Sequence, residues 1–264
     1  MNIIAVDIGN TNIGVGLFLN GEEQFIDSIA GTSKKDLAKR LKSAWEQIPV
    51  LDSSKESKRN GVIVVSSVKP AWVEMVRDIA KEELGEKIMV IGKDIPLPMI
   101  CFVDEPEKVG TDRIISAAAA YAVAEDAVVI ADFGTAVTID LVDEKGVFQG
   151  GAILPGFEIS AKALKDYTAQ LPNIEVTKPN APYGKNTVDA INCGLYYSVV
   201  GALEEVVRRY AEQIGKWPQT VITGSAAKVI KDDCQFIDSY VPNLVVKGIV
   251  LAYENYIEDK AKEL

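Results

Sequence analysis

Residues 3–18 read IIAVDIGNTNIGVGLF and residues 128–142 read VVIADFGTAVTIDLV. Each opens on an apolar run rich in Ile, Val and Ala, the composition of a buried strand. Each then reaches Asp-X-Gly, passes through small polar residues and enters a second apolar stretch. Asp7-Ile8-Gly9 and Asp132-Phe133-Gly134 stand about half a chain apart. The repetition points to two related halves, each presenting a carboxylate and a tight backbone turn at the tip of a strand pair. Two such turns facing one another can hold a nucleotide's phosphates and its metal.

The chemistry of the turn follows from its residues. Gly9 and Gly134 allow positive φ and leave no Cβ in the way of a ligand. The N–H groups of such a turn form an anion-binding concavity, to which Asn10, Thr11, Asn12 and Thr135 add neutral donors. A carboxylate repels phosphate, so the Asp of each turn suits a cation, or a water that the phosphates share. Taken singly, either segment also reads as an ordinary hairpin turn. Their common register favours the ligand-binding reading.

The chain has 264 residues, 48% of them hydrophobic, enough for two domains that each bury a core. A net charge of −10 argues against sequence-independent nucleic-acid binding, which needs a cationic face. No apolar run approaches the roughly 20 residues that span a bilayer, and no signal peptide is visible. The three cysteines, Cys101, Cys193 and Cys234, are irregularly spaced, as reduced thiols in a cytoplasm are. There is no histidine, so acid–base work falls to carboxylates, lysine or tyrosine.

The first hairpin spans 2–8 and 13–19, and a third strand is expected at 23–30. A helix over 33–47 follows, with Thr32 or Ser33 at its start and Pro49 beyond its end. Residues 52–60 read as a polar surface loop, 61–68 as a buried strand ending in Ser66-Ser67, 70–84 as a helix and 87–92 as a strand. An irregular connection, 93–110, leads to a helix over 112–125. The second hairpin spans 127–132 and 137–143. Gly150-Gly151 and Pro155-Gly156 read as interruptions, 157–168 as a helix and 171–187 as a long loop. A helix over 187–214, a strand at 220–223, a short helix at 226–232 and a final helix at 247–262 complete the order. Small residues at Ala117–Ala120, Gly248 and Ala252 suit a close helix pair that could slide or hinge, and plain alanine helix propensity accounts for them equally well.

Between the halves lies EPEKVGTDRII, residues 105–115. Gly110 and Thr111 begin a helix and place Asp112 and Arg113 in its first turn. An acid is favoured there by the helix dipole, and Arg113 can pair with a substrate carboxylate in bidentate geometry. Helix capping by Thr111 and Asp112 beside a solvated Arg113 is the other reading.

Here the chain resembles the type III pantothenate kinases, of the acetate/sugar kinase–Hsp70–actin superfamily. The resemblance rests on DIGNTN (7–12), SSVKP (66–70), PEKVGTDR (106–113), DFGTAVT (132–138), GGAILPG (150–156), LP (171–172), YGKNTVDAINCG (183–194), VITG (221–224) and LVVKGIVLAYE (244–254), in that order. It implies an α/β fold of two ribonuclease H-like domains, with mixed sheets flanked by helices and an interdomain cleft; the division is expected at 1–115 and 116–264. It implies transfer of the γ-phosphoryl group of ATP to the 4′-hydroxyl of pantothenate, the first step of coenzyme A synthesis, in the cytoplasm. Asp112 matches the proton acceptor. Gly110, Thr111, Asp112 and Arg113 match the pantothenate-binding run, and Thr187 matches a pantothenate contact supplied by the partner subunit of a homodimer. Asp7, Ile8, Gly9, Asn10, Thr11, Asn12, Gly134 and Thr135 match the ATP contacts. Asp132 matches a ligand of a potassium or ammonium ion. Magnesium arrives with ATP, and Asp7 would meet it through water.

The chain departs from the family pattern in places. Val103 stands at a substrate-binding position where the family has tyrosine, with Phe102 beside it. GTDR replaces GADR. Ser225 follows VITG where a second glycine is usual, and Ser198 replaces a common glycine of the helix at the expected dimer interface. Two other readings stand beside kinase action on pantothenate: a kinase-inactive paralogue acting as a regulatory or transcription-accessory protein, and a kinase of another small hydroxy acid or sugar. Asp7, Asp112, Arg113, Asp132 and Thr187 favour the enzyme, since a regulator needs none of them.

Overall fold

A computed structural model of the chain describes residues 1–51, 58–232 and 234–263. The first half runs β1 (Ile3–Ile8), β2 (Asn12–Leu19), β3 (Glu22–Ala30), α1 (Lys34–Gln47), β4 (Val62–Ser67), α2 (Pro70–Ile79), β5 (Ile88–Val90) and α3 (Thr111–Ala124). The second runs β6 (Val128–Phe133), β7 (Ala136–Val142), β8 (Phe148–Pro155), α4 (Phe157–Asp166), α5 (Thr187–Ile214), β9 (Gln219–Thr223), β10 (Ser239–Tyr240) and α6 (Leu244–Lys262).

The duplication read in the two Asp-X-Gly segments is a duplication of sheet topology. One sheet has the order β3-β2-β1-β4-β5 and the other β10-β9-β6-β7-β8, which is the same order in mirror listing. In each, three antiparallel strands are followed by strands added parallel to the first: β4 pairs parallel with β1, and β9 with β6. These are two mixed α/β sheets flanked by helices, the ribonuclease H-like pattern.

Contacts group Met1–Met99, Glu107–Ala119 and Asn243–Leu264 in one unit, and Ile100–Pro106 with Ala120–Pro242 in the other. In the first unit the period-2 alternation of β1 covers both faces of the sheet. Ile4, Val6 and Ile8 pack under α1 and α2 with Leu37, Leu41, Val73 and Val76. Ile3 and Ala5 face the other way and pack with Ile115 of α3 and Val245, Val246 and Ile249 of α6. A Cβ on Gly248 would lie 2.6 Å from the carbonyl oxygen of Ile115, so the close helix pair expected from small residues exists and turns on that glycine. In the second unit Val129, Ala131 and Phe133 of β6 and Val137, Ile139 and Leu141 of β7 pack with Tyr196, Val199, Leu203 and Val207 of α5.

Gly150-Gly151 does not interrupt the chain but sits inside β8. A Cβ on Gly151 would meet Asp140 Oδ1 at 2.2 Å and the Ile139 carbonyl at 2.4 Å, so only glycine lets β8 lie against β7. Gly150 has φ +98° where the pairing register shifts at Leu141/Val142, which makes it a bulge residue. Helix α2 ends at Ile79, and Ala80–Leu84 continues in wider turns to Gly85. The short helix expected at 226–232 is one 3₁₀ turn, Ala227–Val229, and β10 has no counterpart among the strands expected from the sequence. Of the loop expected at 52–60, residues 52–57 lie outside the described residues. Its flanks pair through Leu51 N–H to the Lys58 carbonyl at 2.8 Å.

Candidate active site

In the first unit the site is built where β1 and β4 end side by side. Their parallel register sets Asp7 opposite Ser66 and Ile8 opposite Ser67. Beyond Ile8 the chain turns, with Gly9 N–H donating to the Asn12 carbonyl at 3.1 Å. Gly31 N–H donates to the Thr11 carbonyl at 3.0 Å and fixes the far side of that turn.

The first turn of α3 is tied to the same strand ends. The Thr111 hydroxyl donates to the Ser67 carbonyl at 3.2 Å, and the Ser66 hydroxyl lies 3.1 Å from it. Thr111 has one proton to give, so Ser66 is the donor of that second bond. Ser66 is fully buried. Asp112 comes next. Its Oδ1 accepts from Arg113 N–H at 2.8 Å, and a Cβ on Gly110 would stand 2.4 Å from the same oxygen, so Gly110 gives the carboxylate its room. Burial pushes the Asp112 carboxyl above the usual carboxylate range, outweighing the bonds and charge of Arg113 that pull it down. A carboxylate held basic in this way is suited to take a proton. Asp7, Gly9–Asn12 and Gly110–Arg113 therefore belong to one constellation.

The second unit repeats the turn with a difference. Asp132 pairs in register with Thr138 of β7 and Thr223 of β9. Gly134 N–H donates to the Ala136 carbonyl at 3.1 Å, so this turn is one residue tighter than the first. Two glycines press on it. A Cβ on Gly224, which has φ +93°, would lie 2.4 Å from Asp132 Oδ1 and 2.6 Å from Phe133 N, and one on Gly156 would lie 2.4 Å from the Gly134 carbonyl. Only glycine at 224 leaves room for the Asp132 carboxylate beside the Phe133 backbone, so the position of this oxygen ligand depends on that residue.

Val103 belongs to an added strand-like segment on β8, held by Phe102 N–H to the Phe148 carbonyl at 2.8 Å and Phe148 N–H to the Ile100 carbonyl at 2.9 Å. Its side chain lies against Gly150, while Phe102 is 76% exposed. Thr187 is the first residue of α5, whose start is capped by the Asn186 side chain accepting from Asp189 N–H at 2.9 Å. Thr187 lines an open cavity of about 540 Å³ with Lys185, Leu164, Leu171 and Gly194.

Sequence reading missed Lys69. Its ammonium donates to the Asn10 carbonyl, inside the Gly9–Asn12 turn, and lies 3.9 Å from the centre of the Trp72 ring. One signal was present: a lysine directly before Pro70, where a helix start disfavours positive charge.

A sequence profile described as type III pantothenate kinase matches residues 3–209. A protein of Syntrophotalea carbinolica named type III pantothenate kinase is 33% identical over 254 residues, covering 95% of this chain and 98% of its own length. Among solved structures, a Campylobacter jejuni protein assigned to the Baf family of transcriptional activators matches with a TM-score of 0.61 at 18% identity, over 98% of this chain and all of that one. A Sinorhizobium meliloti protein assigned as a 2-dehydro-3-deoxygalactonokinase matches with a TM-score of 0.56 at 11% identity, over 96% of this chain and 98% of that one. At such identities the two structures speak to the fold alone. Among the described residues no helix is long and apolar enough to cross a membrane.

Proposed function

The chain belongs to the type III pantothenate kinase family, and from that membership we propose that it transfers the γ-phosphoryl group of ATP to the 4′-hydroxyl of pantothenate. The observation that carries this reading is the tie of Asp112 to the phosphate-type turn through Thr111, Ser66 and Ser67. Phosphoryl transfer asks for positioning and charge stabilisation more than covalent help. Asp112 accepts the proton of the pantothenate hydroxyl as its oxygen attacks the γ-phosphorus. The bond from that phosphorus to the β–γ bridging oxygen breaks, and ADP leaves. Burial has already raised the basicity this step needs.

The remaining assignments are part of the same proposal. The N–H groups of Gly9–Asn12, with Gly134 and Thr135, receive the phosphates, and magnesium comes with ATP and meets Asp7 through water. Arg113 neutralises charge beside the substrate carboxylate. Asp132 holds a potassium or ammonium ion, which would supply fixed positive charge near the phosphates. A second copy of the chain completes the site through Thr187; the exposed Val188 and Tyr197 on α5 support a face of that kind. The division at 115/116 is proposed as the boundary between the two halves in sequence, with α6 returning to the first unit. No disulfide joins Cys101, Cys193 and Cys234 among the described residues, which supports a cytoplasmic setting.

A coupled ATPase assay with pantothenate, against a panel of other hydroxy acids and sugars, tests the reading. Turnover selective for pantothenate is the expected result. A flat response across the panel would refute it and favour a regulatory protein.

A further inference from the structure

Lys69 stands at the N-cap of α2 in extended geometry, φ −129° and ψ 95°, with no side-chain capping bond. A cation is opposed there by the helix dipole, so local helix energetics do not explain it. Its backbone is fixed nonetheless. The Ser67 hydroxyl accepts from Lys69 N–H at 2.9 Å and donates to the Lys69 carbonyl at 3.0 Å. The side chain reaches across to the Asn10 carbonyl and crosses the face of Trp72 on the way.

Trp72 is itself part of this joint. A Cβ on Gly31 would fall 1.8 Å from its ring, so the benzo edge of the indole lies against the Gly31 backbone, and Gly31 N–H donates to the Thr11 carbonyl at 3.0 Å. Two independent links thus bind the start of α2 to the Gly9–Asn12 turn. The indole is a rigid platform for an ammonium. An ammonium has three donors. One is committed to Asn10, which leaves two for an anion seated on the same turn.

We propose that Lys69 is a phosphate-binding residue of the nucleotide site, supplying the positive charge that the neutral side chains of Asn10, Thr11 and Asn12 lack. The inference rests on the kinase reading and goes beyond it by assigning the phosphate contact to a side chain outside the Asp-X-Gly turns.

Calorimetric titration of the full chain with a non-hydrolysable ATP analogue, with ADP and with adenosine tests it, for the wild type, Lys69→Met and Lys69→Arg. Lys69→Met should weaken the triphosphate analogue roughly 10- to 100-fold, the range of one charge-assisted hydrogen bond. ADP should lose less and adenosine nothing. Lys69→Arg should recover part of the loss, because it keeps the charge. In steady state the KM for ATP should rise while that for pantothenate holds. Equal weakening of all three ligands would make the lysine only a strap for the turn and overturn the proposal, and unchanged analogue binding in Lys69→Met would do the same. If the wild type binds no analogue, the kinase reading falls and this inference with it. Both variants should fold, as thermal melts check, with Lys69→Met slightly less stable for the lost Asn10 link.

Discussion

The Ser66 and Thr111 hydroxyls lie 3.1 Å apart, and through them the end of β4 holds the first turn of α3. Asp112 is the next residue, so the aim of the carboxylate is set by a hydroxyl that the family's GADR motif lacks.

Thr111→Val keeps the shape of the side chain but leaves the Ser66 hydroxyl and the Ser67 carbonyl without this partner. Ser66 is fully buried, so the variant should lose about 1–3 kcal/mol of unfolding free energy. With the helix start loosened, kcat should fall several-fold more than the KM for pantothenate changes. Thr111→Ser should restore both. Urea titrations and initial rates on the three proteins decide the matter, and wild-type kcat in the valine variant would remove the positioning role.

Asp112→Asn should fold and lose roughly a hundred- to ten-thousand-fold in turnover, the usual contribution of a general base. The same substitution has a signature in stability. Burial raises the folded carboxyl above its unfolded value. The folded state therefore holds this proton more tightly, so the stability contributed by Asp112 is fully present below its unfolded pKa and is lost as pH rises through the folded pKa. The amide does not titrate. Asp112→Asn should accordingly be more stable than the wild type at neutral pH, with the difference vanishing near about pH 3. Denaturant titrations at both pH values measure this, and a variant equally stable or weaker at neutral pH would contradict the burial argument. The acid limb of the wild-type kcat/KM profile should lie above the ordinary carboxylate range for the same reason.

Much of this was legible because it is local. Strands β1, β2, β6 and β7 declare themselves through apolar runs that change face every residue, and the two Asp-X-Gly turns share a register. Helix α5 reads from Thr187 to Ile214 because no proline or glycine pair breaks it. What was not legible depends on partners far away in the chain. Gly150-Gly151 looks like a break until Asp140 is seen against it. Asp112 reads as a helix cap until Ser66 and Ser67, more than forty residues away, are seen to hold its neighbour. Helix α6 follows the second half in sequence and packs on β1 and β4 of the first unit. Hydrophobic pattern marks its buried face and says nothing of which sheet receives it.

Gly224→Ala should injure the second turn selectively. At φ +93° an L side chain is strained, and the added Cβ would strike Asp132 Oδ1 and the Phe133 backbone. The cost should be roughly 1–3 kcal/mol from the backbone alone, with the clash in addition. Because the clash pushes on Asp132, the ratio of rates in potassium to rates in sodium buffer should drop toward one, as it should in Asp132→Asn. Thermal melts and paired-salt assays test the two effects separately. A wild-type protein equally active in both buffers would dismiss Asp132 as a cation ligand.

Val103→Tyr asks whether the chain tolerates the family's residue. Val103 packs against Gly150, which has φ +98°. The substitution restores the residue the family carries at this position, whose hydroxyl would add a neutral hydrogen bond of about 0.5–1.5 kcal/mol to the substrate. The KM for pantothenate should then fall roughly two- to tenfold, with the KM for ATP unchanged, because the segment carrying Val103 makes none of the proposed phosphate contacts. Steady-state kinetics with each substrate varied in turn give the answer. Parallel changes in both KM values would mean that the ring disturbs the fold of the 100–103 segment instead of adding a substrate contact, and Val103 would lose its place among the specificity residues.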